Sequence, residues 1–452
     1  MNLYILTEIT KRELDSNLLL ACIAANNNFE VMISNSDTIN YLNKKNLLKP
    51  GVFHTKSLVH GEKKKELHNQ LKKNEIKITS LDEEAGLVYK DLKIYGETRY
   101  SNEAINVVDK IFCWGDHDYN FLTSMFEIKD DKFVLSGSPR FDLLNNNFFS
   151  YWASNENMEK DILISGNFNL VNGYVPTSKI LSEMENQGYF LRSKNYETEL
   201  KKIIEDSRKK FSSFLEAIHL LVNKFKNEKF LIRPHPLEKM DIWKENFIKY
   251  PNVKISRDDN INNKLINSKM LIHNSCTTAF QAYSLKIPAI CFSPIETKSN
   301  YGEPANSISE ETKNIEELFN LINKILNKNY KISNLENKNK IFQNKIFKKD
   351  HELAGDIIVG NWLKLIKGIK FENINWKEVK YELTKKYFRT FLFNLIFKIL
   401  KPFKKVYQDN KFEKINDIVI SKKIKKILEI LNLEKNIKIK KLSNRCFLIK
   451  KI

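Results

Sequence analysis

Two stretches decide how the chain is read: FLIRPHP at Phe230–Pro236 and, further on, LIHNSCTTAFQAYSLKIPAICF at Leu271–Phe292. In the first, an apolar strand (Phe230, Leu231, Ile232) runs into Arg233, Pro234, His235 and Pro236. The prolines stop the sheet and leave Arg233 and His235 at a strand's carboxyl end, the edge at which open α/β sheets bind ligands. In the second, Met270–Ile272 reads as a strand, His273–Thr278 as a polar turn and Ala279–Leu285 as a helix. A turn rich in Ser and Thr that opens a helix offers hydroxyls, backbone N–H groups and the positive end of a helix dipole. A basic corner and an anion-ready helix start on neighbouring strand ends read as a site for a phosphate-bearing ligand, a nucleotide-sugar mono- or diphosphate.

Working outward, the same design recurs. Asn2–Leu6 reads as a strand, Glu13–Ala25 as a helix with Leu14, Leu18, Leu19 and Ile23 at helical spacing, and Glu30–Ser34 as a second strand. Further strands are expected at Ile76–Ser80, Lys110–Trp114 and Phe133–Ser136, each ending in a polar or glycine-bearing turn. A second β/α unit opens with DILIS at Asp161–Ser165, followed by Gly166 and Asn167. It continues with a long amphipathic helix (Thr198–Asn227) and strands at Phe230, Val253–Ile255, Leu271 and Ala289–Phe292. The expected architecture is α/β: residues 1–155 an N-terminal doubly wound domain, 156–350 a second one across a cleft, and 351–452 a basic, mainly helical appendage.

The totals agree. At 452 residues more than one core is expected, and 42% hydrophobic content with 17 Tyr and 29 Phe is enough to fill them. The formal charge of +20 implies attraction to polyanions. Without zinc-finger, helix-turn-helix or aromatic RNA-binding patterns, nucleic acid is not the expected partner. The charge gathers late, where YFRTFLFNLIFKILKPFKKVY (Tyr387–Tyr407) alternates apolar residues at helical spacing with lysines. This reads as an amphipathic helix lying on an anionic membrane surface, the other reading being a core helix of a small terminal bundle. Cys22, Cys113, Cys276, Cys291 and Cys446 are odd in number and form no CxxC pair, so buried free thiols are expected. No signal peptide or membrane span is read, and the expected location is cytoplasmic, peripheral on the inner face of the membrane.

Several patches together resemble the bacterial surface-carbohydrate biosynthesis proteins. They are Arg12–Asp15 before NLLLA, LDEEAGLVY at Leu81–Tyr89, CWGDHDYNFL at Cys113–Leu122, SGSPRFDLL at Ser136–Leu144, RPHP, and HNSCTTAFQA. More distantly, an acidic motif ending in glycine, an HP motif and a later Ser/Thr motif resemble the CMP-sugar-dependent glycosyltransferases, the bacterial sialyltransferases and Kdo transferases of GT-B fold. That resemblance implies transfer of a nonulosonic or ulosonic acid from a CMP donor to a glycan or lipid-linked glycan acceptor. The departure is Ala85, which stands between the acidic run and Gly86.

The expected residues follow. Asp82, Glu83 and Glu84 leave a strand end, and glycosyl transfer to a hydroxyl needs a carboxylate to take its proton or attack the anomeric carbon. Glu83 is taken as the catalytic one, with Asp82 and Glu84 as supports; an acidic turn capping a helix would look the same. His235 is expected to donate to the donor phosphate as it leaves, and Arg233 to pair with it or with Glu238. Ser275, Thr277 and Thr278 are expected to bind phosphate or to serve as N-caps, with His273 and Asn274 beside them. Gly166 and Asn167 suit close backbone approach, and Glu296 and Glu303 a ribose hydroxyl or an acceptor. Gly115, Asp116, His117, Ser138 and Arg140 are acceptor-side candidates, Asp116 and His117 being equally readable as a cap. No metal site is expected: Asp130-Asp131 and Asp258-Asp259 read as turns, and no cofactor beyond the CMP-sugar substrate is required. Rival readings are a CDP-polyol phosphotransferase of teichoic-acid type using His117, a nucleotide-sugar epimerase, and a nucleotide-sugar-binding scaffold of capsule assembly.

Overall fold

The computed structural model describes residues 1–59, 61–128, 131–152, 160–193, 195–258, 260–299, 301–349, 351–396, 416–434 and 436–452. The chain divides into two units, one of residues 1–85, 99–143 and 346–452, the other of residues 86–98 and 144–345. Each is a parallel α/β unit of Rossmann type, the fold class the alternating pattern predicts.

In the first unit the strands are β1 (Asn2–Leu6), β2 (Glu30–Ser34), β3 (Gly51–Thr55), β4 (Ile76–Leu81), β5 (Lys110–Cys113) and β6 (Phe133–Leu135). They stand side by side in the order 2-1-3-4-5-6, all parallel. The chain runs outward from β1 to β2, then returns to place β3 on β1's other side. The carboxyl ends of β1 and β3 therefore flank the point where the winding reverses, where such sheets open a crevice. In the second unit β7 (Asp161–Gly166), β8 (Phe230–Arg233), β9 (Val253–Ile255), β10 (Ser268–Asn274), β11 (Ala289–Phe292) and β12 (Glu310–Thr312) form a parallel sheet in the order 12-11-10-7-8-9. Its reversal falls between β7 and β10, with Gly166 opposite Asn274. Its core is Ile162, Ile164, Phe230, Ile232, Met270, Ile272 and Ile290 under the helix Tyr196–Lys224, which contributes Phe214, Ile218 and Leu221.

The largest departure from expectation concerns residues 351–452. Those of them that are described pack into the first unit instead of standing apart as an appendage. β13 (Ile437–Ser443) and β14 (Cys446–Lys451) form a hairpin, and β14 pairs antiparallel with β2, extending the first sheet to eight strands. The helix Ala354–Leu365 and the helix Asp417–Ile430 both pack on the helix Thr10–Asn26. The cause is the open side of β2: Val31, Met32 and Ile33 are wholly buried, and Phe447, Leu448 and Ile449 lie opposite them. The first domain thus ends near 143 rather than 155 and resumes at 346. β3 and β12 were also not anticipated, and β10 runs on through His273 and Asn274.

The five cysteines are buried and free. The helix Trp376–Ile396 covers the first part of the expected basic amphipathic segment, while residues 397–407 and the side chains of 392–396 lie outside the described residues, as do Asp130 and Asp259. Among the described residues no helix is long and apolar enough to cross a membrane.

Candidate functional site

The first unit gathers a charged cluster at the carboxyl edge of its sheet. Asp82 follows β4 directly and is buried; its Oδ1 accepts the backbone N–H groups of Glu84 (2.8 Å) and Ala85 (2.9 Å), and its Oδ2 accepts from Arg99 (2.9 Å). It is a turn-builder, the capping alternative in another form. Glu84 takes Arg99 and has Arg12 at 3.6 Å, and those guanidiniums, Arg99 foremost, hold its carboxyl down to about 2. It stays ionised. Glu83 differs from both. Its side chain is 11% exposed, and among the described residues it pairs with Arg140 alone, at 3.5 Å. Burial outweighs that guanidinium and pushes the Glu83 carboxyl up to about 7. Of three consecutive acids, one is poised to exchange a proton at neutral pH.

Around Glu83 lie residues that sequence reasoning did not single out as site residues. Glu13, wholly buried, accepts from the backbone N–H of Glu8 (2.7 Å) and Ile9 (3.2 Å), from Arg12 (3.3 Å) and from Lys56 (3.0 Å). Lys56 also pairs with Glu8 at 3.1 Å, and the Glu83 backbone N–H donates to the Lys56 carbonyl. These groups straddle the reversal between β1 and β3, the place topology singles out. The available signal was Lys56 directly after β3, a strand that a Lys- and Asn-rich neighbourhood concealed.

Of the acceptor-side candidates, Arg140 joins the cluster. His117 is held inward, with its Nε2 on the Ala85 carbonyl at 3.0 Å. Neither Asp116 nor His117 caps the helix Asp116–Phe126; Asp118 does, accepting from the N–H groups of Trp114 and Gly115. Ala85 adopts φ 43°, so the residue between the acidic run and Gly86 sits in the left-handed region.

In the second unit the HP corner and the Ser/Thr turn lie at the ends of β8 and β10, the two strands flanking β7. Arg233 is buried as the last residue of β8, beside Ser165. Glu238, wholly buried, accepts from the N–H of Phe168 and His235 (both 3.1 Å), Asn172 Nδ2 (3.3 Å) and Trp243 Nε1 (2.9 Å). One carboxylate thus ties the loop after β7 to the loop after β8. His235 accepts the Leu237 N–H on Nδ1 at 3.2 Å, which puts the neutral ring's proton on Nε2.

His273 and Asn274 both turn inward. His273 is wholly buried, its ring bonded to Ser309 Oγ (2.8 Å) and the Cys276 N–H (3.3 Å), and burial lowers it to about 3. Asn274 donates inward to the Phe292 carbonyl at 2.7 Å. Both brace the turn because β10 is longer than its apolar run suggests. Ser275 stands at φ 51°, packed so closely on Gly302 (φ 84°) that a Cβ there would lie 2.2 Å from the serine's own. Its hydroxyl receives Lys210 Nζ at 3.3 Å. Thr277 precedes the helix Thr278–Ser284 without making a side-chain cap bond, so its hydroxyl is not spent on capping. Thr278 Oγ1 accepts from the Cys276 thiol. Gly166 ends β7 against the Phe168 ring, 2.4 Å from where a Cβ would stand. Asn167 donates to the Tyr301 hydroxyl at 3.3 Å, while its buried Oδ1 has no hydrogen-bond partner among the described residues. Glu296 is exposed on the loop after β11, and Glu303 pairs with Lys90 at 3.4 Å.

No protein-family model and no curated protein matches the chain in sequence. Solved structures similar to it include an S. aureus MnaA–UDP co-structure (TM-score 0.49, 11% identity, covering 82% of this chain and 99% of that one). Another is the Methanocaldococcus jannaschii UDP-GlcNAc 2-epimerase in complex with UDP-GlcNAc and UDP (TM-score 0.49, 15% identity, 80% of this chain and 100% of that one). The wall teichoic acid polymerase TagF is also similar, with a TM-score of 0.43 and 13% identity over 74% of this chain and 86% of that one.

Proposed function

We propose that the chain is an enzyme acting on a nucleotide-activated sugar in the assembly of a bacterial surface carbohydrate. The observation that carries this reading is Glu83: a nearly enclosed carboxyl beside Arg140, at the ligand-binding edge of a parallel sheet. A carboxyl in that setting takes a proton from a sugar hydroxyl at neutral pH. In its finer form the reaction transfers a nonulosonic or ulosonic acid from a CMP donor to a glycan acceptor. In the first unit Glu83 is the base and Asp82 and Glu84 hold its turn; in the second, His235, Arg233, Ser275 and Thr277 bind a phosphate. The reaction takes place at the inner face of the membrane, to which the chain's +20 charge draws it.

A second reading, a nucleotide-sugar epimerase, draws on the same residue. A carboxyl that is half protonated near pH 7 gives a proton as readily as it takes one, which inversion at a carbon requires. The polyol-phosphate transferase stands behind both, because His117 is turned onto the Ala85 carbonyl. Turnover of CMP-, UDP- and CDP-linked substrates by the full chain separates them. Release of CMP supports the transferase, epimerised UDP-sugar supports the second reading, and no turnover of any of the three overturns the proposal.

A further inference from the structure

Lys210 lies in the middle of the helix Tyr196–Lys224, and its sequence neighbourhood (DSRKKFSSF) reads as ordinary solvated helix surface. The structure buries it: the residue is 6% exposed, and its ammonium points to Ser275 at the carboxyl end of β10. An ammonium has three N–H donors. Among the described residues one is used, on the neutral Ser275 hydroxyl at 3.3 Å, and no carboxylate oxygen lies within ion-pair distance. The carboxylates whose charge reaches it are engaged elsewhere. Asp206, one turn earlier on the same helix, accepts from the N–H groups of Lys298 (3.0 Å) and Ser299 (2.9 Å) and from the Ser299 hydroxyl (2.7 Å). Glu311 takes the Ser293 hydroxyl and pairs with Lys313 at 2.7 Å. Cys291, also nearby, is held as a neutral thiol by burial, which pushes it up to about 12. A buried cation without a counter-ion is costly, and burial alone drives its pKa down.

Chains seldom keep such a charge where it only destabilises, and this one stands beside the β7/β10 reversal of its sheet. We infer that Lys210 and Ser275 form an oxyanion-binding site in the second unit, taking a phosphoryl group whose negative charge supplies the partner that no described carboxylate places within ion-pair distance. The anchoring of Asp206 to the 298–299 loop fixes the helix so that Lys210 is presented to the strand end. That the phosphoryl group belongs to a nucleotide sugar rests on the function proposed above; the anion site itself does not.

The test uses the full chain and three probes: pyrophosphate, CMP and UMP, with cytidine as the phosphate-free control. At millimolar concentration at least one of the three should raise the melting temperature of the wild type, and cytidine should not. Lys210→Met should abolish that rise and weaken binding by about tenfold or more, the worth of a charge-assisted contact. Without ligand it should melt no lower than the wild type, since it removes a buried charge that no described carboxylate pairs with at close range. Lys210→Arg, which keeps the charge, should retain binding. No rise in the wild type with any of the three, or undiminished binding in Lys210→Met, overturns the site. A lower melting temperature for unliganded Lys210→Met does so too, because it means the charge was already balanced. Lys210-dependent pyrophosphate binding without turnover of any nucleotide sugar keeps the anion site and sinks the enzyme reading. Turnover with an unchanged KM in Lys210→Met does the reverse.

Discussion

Arg140 meets Glu83 at two points: its Nη1 donates to the Glu83 carbonyl at 3.0 Å and lies 3.5 Å from the carboxylate Oε2. The first contact holds the turn; the second is too long to quench the acid. The guanidinium therefore orients Glu83 while burial keeps its carboxyl near 7, in contrast to Glu84, which Arg99 and Arg12 hold down to about 2.

If Glu83 is the base, turnover is expected to climb with pH and level off above about 7, as the carboxyl ionises. Glu83→Gln should lower kcat by about a hundredfold or more, the usual worth of a positioned base, with KM for the donor little changed. Steady-state kinetics between pH 5.5 and about 9 check both. A flat profile, or a Glu83→Gln variant of full activity, assigns the proton transfer elsewhere.

The same burial has a stability signature of opposite sense to that of a paired acid. The folded carboxyl binds its proton more tightly than the unfolded one, so its contribution is fully present below the unfolded value of 4.5 and is lost as pH rises through about 7. Glu83→Gln, which cannot ionise, should therefore be more stable than the wild type at pH 8, by on the order of 1–3 kcal/mol, and equal to it near pH 4.5. Urea unfolding at the two pH values measures the difference. A variant less stable than the wild type at pH 8 would mean the carboxylate is paired after all.

How much of this was legible in the sequence depended on where the signal was local. The apolar runs of β1, β7, β8 and β11 announce themselves, and the acidic triplet after β4 and the RPHP corner after β8 are read directly from strand ends. β13 was concealed because IKIKKLS alternates Ile with Lys, a half-buried strand whose lysines suggest a basic tail. It forms a local hairpin with β14, but β14's place beside β2 is a pairing across about four hundred positions that no local pattern encodes. Lys210 and Glu13 escaped for a related reason: each looks like surface helix until a partner from a distant strand end buries it. His273 misled in the other direction, since a histidine next to a polar turn looks available while the end of β10 carries it into the core.

Glu238 is the point at which the second unit should be most sensitive. It accepts from four donors, two of them backbone N–H groups in the loops after β7 and β8. Glu238→Ala takes the acceptor from the Phe168 and His235 N–H groups and from Trp243 Nε1, while Asn172 Nδ2 keeps the Lys239 carbonyl, and is expected to cost about 3 kcal/mol or more. Glu238→Gln retains an acceptor oxygen and should cost less. Chemical denaturation of the two variants tests the order; equal stability of Glu238→Ala and the wild type would show the loops to be held by other contacts.

Deleting residues 436–452 should unfold or aggregate the first unit rather than trim a tail. The deletion removes Phe447, Leu448 and Ile449, all buried, and leaves β2 as an unpaired edge carrying Val31, Met32 and Ile33. Expression of the shortened chain, with solubility and limited proteolysis as readouts, decides. A soluble, cooperatively folding product would restore the appendage reading.

The helix Trp376–Ile396 bears on the proposed membrane contact. Val379 and Leu383 are buried, whereas Tyr381, Phe388 and Phe391 are 60–64% exposed. Positions 381, 388 and 391 share one helical face, and Lys385 and Arg389 lie among them. Aromatic rings interleaved with cations suit the headgroup region of an anionic bilayer, where each basic side chain adds about 1 kcal/mol. The full chain should therefore float with vesicles containing phosphatidylserine or phosphatidylglycerol and not with phosphatidylcholine alone, and the Phe388→Glu, Phe391→Glu double variant should lose most of that binding while its melting temperature is unchanged. High salt should weaken flotation of the wild type, because the attraction is screened. Undiminished flotation of the double variant removes this face from the anchor, and a matching drop in melting temperature means that the rings pack against protein instead of lipid.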